Sequence, residues 1–453
     1  MNMKILRNIK FLLFCFLVVL FLGSISFDRS FVGLTFNGFR LGELIMAIMF
    51  LISLSICLLN KKFIDRLRLG DFTSIINIFR LIIISFAISI IYFKTSYFST
   101  YTYKTSSYIW IVSSFFIFYF LSPYLQEYKK YVRFLSISLL ILPVAHYFFS
   151  TGYYPNFIMD IFIKHSDKFN FTKASDIMIS LIICNLLYRL TEKNKDYPLF
   201  YFGFSIPLLL PLLLEMSRGS FIAALVFFIL ILIYDFKYLL KNKRSLIIFI
   251  IISFSVFIFS TYRISGVNFD FAQEENIVID TSISGNIAKI AKKNETRKAF
   301  FSFYIEDGRI VSHDNTTNWR LDIWQDVVDD LDSKDSIFKG YGYNEIIPVM
   351  TDPSAPGRLG RDGLNEHVHS YVFNILARGG VLQLILFIAF HFSFLIIWYK
   401  KFNNFHILLF MVPIFINSIT DMNMEGVQFP FLYYSFLAIF FNLYEYEKNK
   451  SYF

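Results

Sequence analysis

Charge is what this sequence has least of: 17% of its 453 residues are Asp, Glu, Lys or Arg, against 56% hydrophobic. A soluble chain of that length needs far more charge to cover its surface, so a water-soluble globular protein is excluded. Cysteine is scarce as well. Cys15, Cys57 and Cys184 all fall inside apolar stretches. None can staple a polar loop or help gather a metal cluster, and they read as small buried hydrophobes. Short alternating strands are missing, which excludes a barrel. There is no internal repeat and no matched pair of Gly/Pro-broken spans, as an inverted-repeat transporter would show.

What the sequence does have is apolar blocks. The runs at 11–23, 41–59, 81–93 and 221–234 are of spanning or near-spanning length, and mean hydropathy over the chain is +0.54. In hydrocarbon such runs satisfy their backbone only as helices. The pattern predicts an all-α integral membrane protein of about 12 transmembrane helices, near 11–26, 40–59, 74–93, 107–125, 134–150, 174–190, 198–215, 220–236, 245–262, 370–398, 404–420 and 428–444. It divides into helices 1–9 over 1–262, a large, partly helical polar loop over 263–369, and helices 10–12 with a tail over 370–453. Lys4, Arg7 and Lys10 before the first run also fit a signal peptide, but the many later spans favour a retained first helix.

The net charge of +9 resembles a nucleic-acid footprint until it is mapped. Lys and Arg crowd alternate connections: Lys61, Lys62, Arg66 and Arg68; Lys129, Lys130 and Arg133; Arg189, Lys193 and Lys195; Lys237, Lys241, Lys243 and Arg244; Lys400 and Lys401. The other connections are poorer in base. This bias predicts both termini in the cytoplasm of a bacterial inner membrane, with no nucleic-acid partner. The Ser217-Arg218-Gly219 turn, the 263–366 segment and the 421–427 turn then face outward. No ATP is available there, so chemistry on that side needs an already activated substrate.

Within the loop, Thr317 is expected to cap an amphipathic helix over 318–331, on which Arg320 and Trp324 are neighbours. A Gly340-Tyr341-Gly342 turn follows, then the polar residues Asp352, Arg358, Arg361, Asp362 and Glu366. His367-Val368-His369-Ser370 closes the loop at the mouth of a span. Two readings of the histidines stand side by side. One is zinc, with His313, Asp362 or Glu366 as a third ligand. The other is acid/base work on a hydroxyl. A plain helix-capping role is the bland alternative. Arg218, between two very apolar spans, needs either a partner such as Glu215 or an anionic ligand suited to its planar fork.

These residues together resemble the bacterial O-antigen ligase and O-antigen polymerase superfamily, membrane glycosyltransferases with a GT-C-like helical fold. Four features match in order: Ser217-Arg218-Gly219-Ser220; Trp319-Arg320-Leu321-Asp322-Ile323-Trp324, similar to the family's Arg-x-x-x-Trp; Gly340-Tyr341-Gly342; and His369-Ser370 leading to Leu376 and Gly379-Gly380. Ser370 stands where the family usually has Asn, and His367 is an additional histidine. The resemblance implies a donor glycan on undecaprenyl diphosphate, an acceptor that is lipid A-core or a growing glycan, contact with membrane lipids, and no metal or other cofactor. It implies Arg218 and Arg320 on the diphosphate and His369 on the acceptor hydroxyl, as catalytic residues of an inverting transfer. His367, Arg358, Arg361, Trp324 and Tyr341 are the expected substrate-binding residues. A ligase is preferred over a polymerase, and a flippase of the same lipid-linked glycan is the reading from another class.

Overall fold

The structure is a computed structural model that describes residues 3–97, 99–121, 124, 129–151, 153, 155–166, 173–265, 302–355, 358–359 and 366–450. It is an all-α bundle. Among the described residues, nine helices are long and apolar enough to cross a membrane: Asn8–Val32, Leu41–Leu58, Gly70–Tyr92, Lys130–Ser150, Ala174–Thr191, Asp196–Met216, Arg218–Lys241, Lys243–Ile264 and Tyr371–Phe402. Shorter apolar helices cover Ser107–Leu121 and Leu408–Thr420, and Gln428–Lys450 closes the chain. Each of the twelve apolar segments expected from the sequence thus carries helix.

Which helices face lipid follows from where the polar atoms lie. Ala174–Thr191 is the most deeply buried span and carries Ser175, Asp176, Ser180 and Asn185. It can hold polar groups because neighbouring helices shield them from hydrocarbon. Lys243–Ile264 is the least buried, and turns Ile247, Ile250, Ile251 and Phe254 outward. An apolar belt of that kind suits lipid and would be unstable in water. At one end of the bundle, Arg189 forks onto Asp235, with one contact of 2.8 Å, and Arg133 meets Glu192 at 2.8 Å. Asp176 lies at the opposite end of the Ala174–Thr191 helix, roughly 20 Å away at 1.5 Å per residue.

Several boundaries differ from the sequence pattern. The segment expected as one span near 107–125 is broken into Ser107–Trp110 and Ser113–Leu121, preceded by a short helix Thr100–Thr105. Its serines return hydrogen bonds to helix carbonyls, Ser106 Oγ to Thr102 at 2.7 Å and Ser114 Oγ to Ile111 at 2.8 Å. Such local bonds compete with the regular ladder. Two hairpins were unforeseen, Thr35–Phe36 with Phe39–Arg40, and Phe303–Glu306 with Arg309–Ser312. Each turns on a two-residue loop at positive φ, Asn37-Gly38 and Asp307-Gly308, the composition that type I′ turns demand. The helix in the polar loop runs Asn315–Ser333, longer than 318–331, and its cap is Asp314 rather than Thr317. The Asp314 carboxylate accepts from the Thr317 amide at 2.9 Å and from its hydroxyl at 2.7 Å.

The long helix Tyr371–Phe402 is bent at Gly380, whose φ is +69°. The bend exposes backbone groups that the 336–342 turn satisfies: Tyr341 N donates to Ala377 O at 2.7 Å, Gly342 N to Arg378 O at 3.0 Å, and Val381 N to Ile337 O at 2.8 Å. The approach is so close that a β-carbon on Gly340 would lie 2.6 Å from the Arg378 carbonyl oxygen. Only a glycine at positive φ fits there. The polar loop is thereby stitched to the helix that follows it.

Candidate active site

Two separate stretches of chain meet at the end of the Leu408–Thr420 helix, and a third is fastened to the second. The first is the Ser217–Ser220 turn. Asn417 Nδ2 donates to Ser220 Oγ at 2.8 Å, and a β-carbon on Gly219 would overlap Thr420, lying 2.9 Å from its Cβ. Gly219 therefore lets the start of the Arg218–Lys241 helix, with its N-terminal charge, approach Thr420. The second is the loop helix. Arg320 Nη1 donates to the Thr420 carbonyl at 2.7 Å, which satisfies an acceptor that the helix end leaves open. The third is the 367–370 segment. Trp324 Nε1 holds the Val368 carbonyl at 2.7 Å and its ring stacks on Phe373, with centroids 5.0 Å apart. Ser370 caps the next helix. Between these two anchors His369 takes the left-handed backbone conformation, φ +53°. That region is uncommon for residues other than glycine and marks sites held by their surroundings.

Arg218 Nη1 lies 2.7 Å from Asp314 Oδ1, with about a third of the Arg218 side chain exposed. The partner the structure gives Arg218 is thus the capping aspartate of the loop helix rather than Glu215. Burial raises the Asp314 carboxyl, but the Thr317 hydrogen bonds and the Arg218 guanidinium outweigh it and hold Asp314 below the usual carboxylate range. Arg320 is pulled the other way. Its burial and the nearby Arg218 lower its pKa, while Asp421 and Asp314 partly offset them. Its Nε–H is buried and has no hydrogen-bond partner among the described residues.

His369 packs against Trp319, with ring centroids 4.9 Å apart. Burial, then the Arg320 guanidinium, with smaller contributions from His367 and Lys173, lower its pKa to about 4, against an opposing pull from Asp421. The imidazole is therefore neutral at physiological pH and has a nitrogen lone pair to offer. His367 has a different setting: its Nδ1 lies 3.0 Å from Glu425 Oε2. Burial would raise Glu425, but His367, Arg378 and Lys104 keep it ionised below its ordinary value. His367 thus meets a carboxylate, whereas the ring contact of His369 is with Trp319. His313, considered as a third zinc ligand, stacks on Tyr304 with centroids 4.5 Å apart. Among the described residues no three His, Cys, Asp or Glu side chains come together as a metal site requires.

Arg218, Arg320 and His369, drawn from positions 218 to 369, thus lie in one connected field that also includes Asp314, Asp421 and Lys173. Residues 203–388 match the family model described as O-Antigen ligase. That region of the chain is similar to the O-antigen ligase family. Members of the family are glycosyltransferase-like enzymes. A search of curated proteins found no match. The matched region contains all four sequence motifs and excludes Asp421 and Glu425, which stand in the turn after it.

The remaining expected substrate-binding residues have other partners. Arg358 is buried, donates to the Val349 carbonyl at 3.0 Å and is gripped by Asp322 and Asp326. Arg309 meets the same two carboxylates at 3.2 and 2.6 Å. This four-charge knot fastens the hairpin and the residues Val349 and Arg358 to the loop helix, and it engages the Arg358 guanidinium that was expected at the substrate. Tyr341 bonds the Asp330 carboxylate through its hydroxyl at 2.5 Å, and Trp324 supports the backbone beside His369. Arg361 and Asp362 lie outside the described residues. Sequence reasoning passed over Trp319, Asp314 and Asp421 as site residues. Trp319 and Asp314 carried a signal, being the residue before Arg320 and the acidic residue three before Thr317. Asp421 carried none beyond its place in a short turn.

Proposed function

We propose that this chain moves a glycan from an undecaprenyl-diphosphate carrier to an acceptor hydroxyl on the outer face of the bacterial inner membrane. As an O-antigen ligase, its acceptor is lipid A-core. The observation that carries the reading is the convergence of two guanidinium groups and a neutral imidazole at one end of an apolar bundle. A polyprenyl tail in the lipid belt would leave its diphosphate at that end. Arg218 and Arg320 supply the fork geometry that suits phosphate oxygens. As the anomeric C–O bond breaks, its electron pair goes to the diphosphate, and the two cations stabilise the charge that develops, work other glycosyltransferases assign to a metal. The acceptor oxygen forms the new bond to the anomeric carbon from the opposite side, which inverts that centre. His369 receives the hydroxyl proton and releases it to water.

The test is transfer by the purified chain in proteoliposomes with donor and acceptor and no ion gradient. Arg320→Ala and His369→Ala should each lower the rate at least about a hundredfold, with insertion and size-exclusion behaviour unchanged. Wild-type rates in both variants would refute the mechanism. The product that accumulates on deletion separates the two branches: unattached full-length polymer for a ligase, single repeat units for a polymerase. Transport without product would favour a flippase.

A further inference from the structure

On the outside of the bundle the Gly70–Tyr92 and Tyr371–Phe402 helices leave a slot between them, with a cavity volume of about 370 Å³. Its walls are apolar. Leu81, Ile84 and Ile88 line one side and Leu382 and Leu386 the other, and the first four of these are exposed. The slot runs from Leu81 to Tyr92, about 16 Å along the helix at 1.5 Å per residue, which is the hydrocarbon depth of one leaflet. At the far end of the same helix pair Lys401 meets Asp71 at 3.2 Å. The slot is therefore confined to the half of the pair that lies next to the polar loop.

The mouth of the slot is polar. Lys339, from the 336–342 turn, holds its Nζ 5.1 Å from the centre of the Tyr92 ring and donates to the Tyr92 hydroxyl at 3.1 Å. That bond uses one of three ammonium donors and leaves the phenolic hydrogen itself a donor, so the pair has the groups to meet an oxyanion. Phe338 beside it is 73% exposed, and an aromatic with a cation at this level is the usual fringe of a membrane–water boundary. One turn deeper than Tyr92, Ser89 lines the slot. Its Oγ is buried and has no hydrogen-bond partner among the described residues.

From the mouth inward the order is thus a cation with a phenol, then a hydroxyl donor, then an apolar channel one leaflet deep. A glycerophospholipid presents its groups in the same order: phosphate, ester carbonyl, acyl chain. A polyprenyl diphosphate has no ester for Ser89, and a zwitterionic headgroup brings a cation of its own against Lys339. We propose that this slot binds one anionic glycerophospholipid from the leaflet on the polar-loop side. Its phosphate meets Lys339 and Tyr92, an ester carbonyl meets Ser89, and one acyl chain lies between the two helices. Lys339 immediately precedes Gly340, whose close approach to Arg378 holds the loop to the bent helix, so the bound headgroup also steadies that attachment. None of this depends on the glycan-transfer reading.

The experiment places the full-length chain in phosphatidylcholine vesicles with a trace of photoactivatable phosphatidylglycerol and maps the labelled residues by mass spectrometry. Label should concentrate on residues 81–92 and 379–386, and unlabelled phosphatidylglycerol should displace it about fivefold more effectively than the host lipid. Lys339→Gln, at an exposed side chain, should keep wild-type size-exclusion behaviour and abolish that preference, and Lys339→Arg should retain it. Ser89→Ala should weaken displacement by the diester lipid but not by its dialkyl ether form, and Leu382→Trp should fill the slot and remove label from both segments. Amide exchange at Tyr341 and Gly342 should be slower with phosphatidylglycerol than with phosphatidylcholine, a difference that Lys339→Gln removes. Equal displacement by the two lipids, or an unaltered preference in Lys339→Gln, would overturn the proposal. So would label spread equally over the lipid-facing Lys243–Ile264 helix, which would make the lipid an annular one only. Stronger displacement by undecaprenyl phosphate would overturn it as well, by giving the slot to a polyprenyl carrier.

Discussion

The protonation state of His369 gives the sharpest prediction, because burial and Arg320 both act on it in the same direction. With its pKa near 4 rather than 6.5, the ring at pH 5.5 should be only about 3% protonated, whereas an ordinary histidine would be about 90% protonated. If neutral His369 accepts the acceptor proton, kcat/KM should change little between pH 7.5 and 5.5 and fall only as pH approaches 4. A pH profile of the reconstituted enzyme, with His367→Gln as control for the other imidazole, reads this directly. Arg320→Gln removes the second cause of the shift and should move the acid limb of whatever activity remains to higher pH. The sign for stability is the same: the unfolded chain protonates below 6.5 and the folded ring resists until about 4. Protection against denaturation should therefore decline as pH falls through that window, and His369→Gln should abolish that part of the decline. An acid limb near 6.5 in the wild-type enzyme would refute the burial and guanidinium argument.

Further variants separate the parts of the site. Asp314→Asn keeps a cap but removes the charge facing Arg218, so stability should stay within about 0.5 kcal/mol while transfer slows; Asp314→Ala should also lose about 1 kcal/mol of stability to the missing cap. Calorimetry in detergent alongside the transfer assay distinguishes them, and equal stability of the two variants would contradict the capping role. Arg358→Met leaves two carboxylates with Arg309 alone and should cost about 1–3 kcal/mol, with residual kcat near wild type; a selective rise in donor KM would return Arg358 to the substrate. Gly340→Ala places a β-carbon against the Arg378 carbonyl at positive φ and should destabilise the loop attachment by about 1–3 kcal/mol, seen as faster hydrogen exchange at Tyr341 and Gly342. Trp324→Phe keeps the stack on Phe373 but leaves the Val368 carbonyl without its donor, for a loss of about 1 kcal/mol and a lower kcat.

The sequence was most informative where a single physical requirement acts on contiguous residues. Hydrocarbon demands long apolar helices, so the nine long apolar helices among the described residues could be read from runs alone. The motif residues Arg218, Arg320 and His369 were legible as unusual polar groups beside apolar runs. Their common location was not, because it depends on Gly219 fitting Thr420, on the Gly380 bend accepting the 336–342 turn, and on Trp324 reaching Val368. These are contacts between positions about forty to two hundred residues apart. The same holds for which partner each charge meets. Sequence spacing offered Arg218 a glutamate three residues away, whereas packing delivered Asp314 from ninety-six residues on. Local periodicity therefore determined that this chain is a helical membrane protein and which residues stand out. Only the tertiary structure decided which of them share one field, because desolvation and Coulomb attraction act through space and carry no trace in local order.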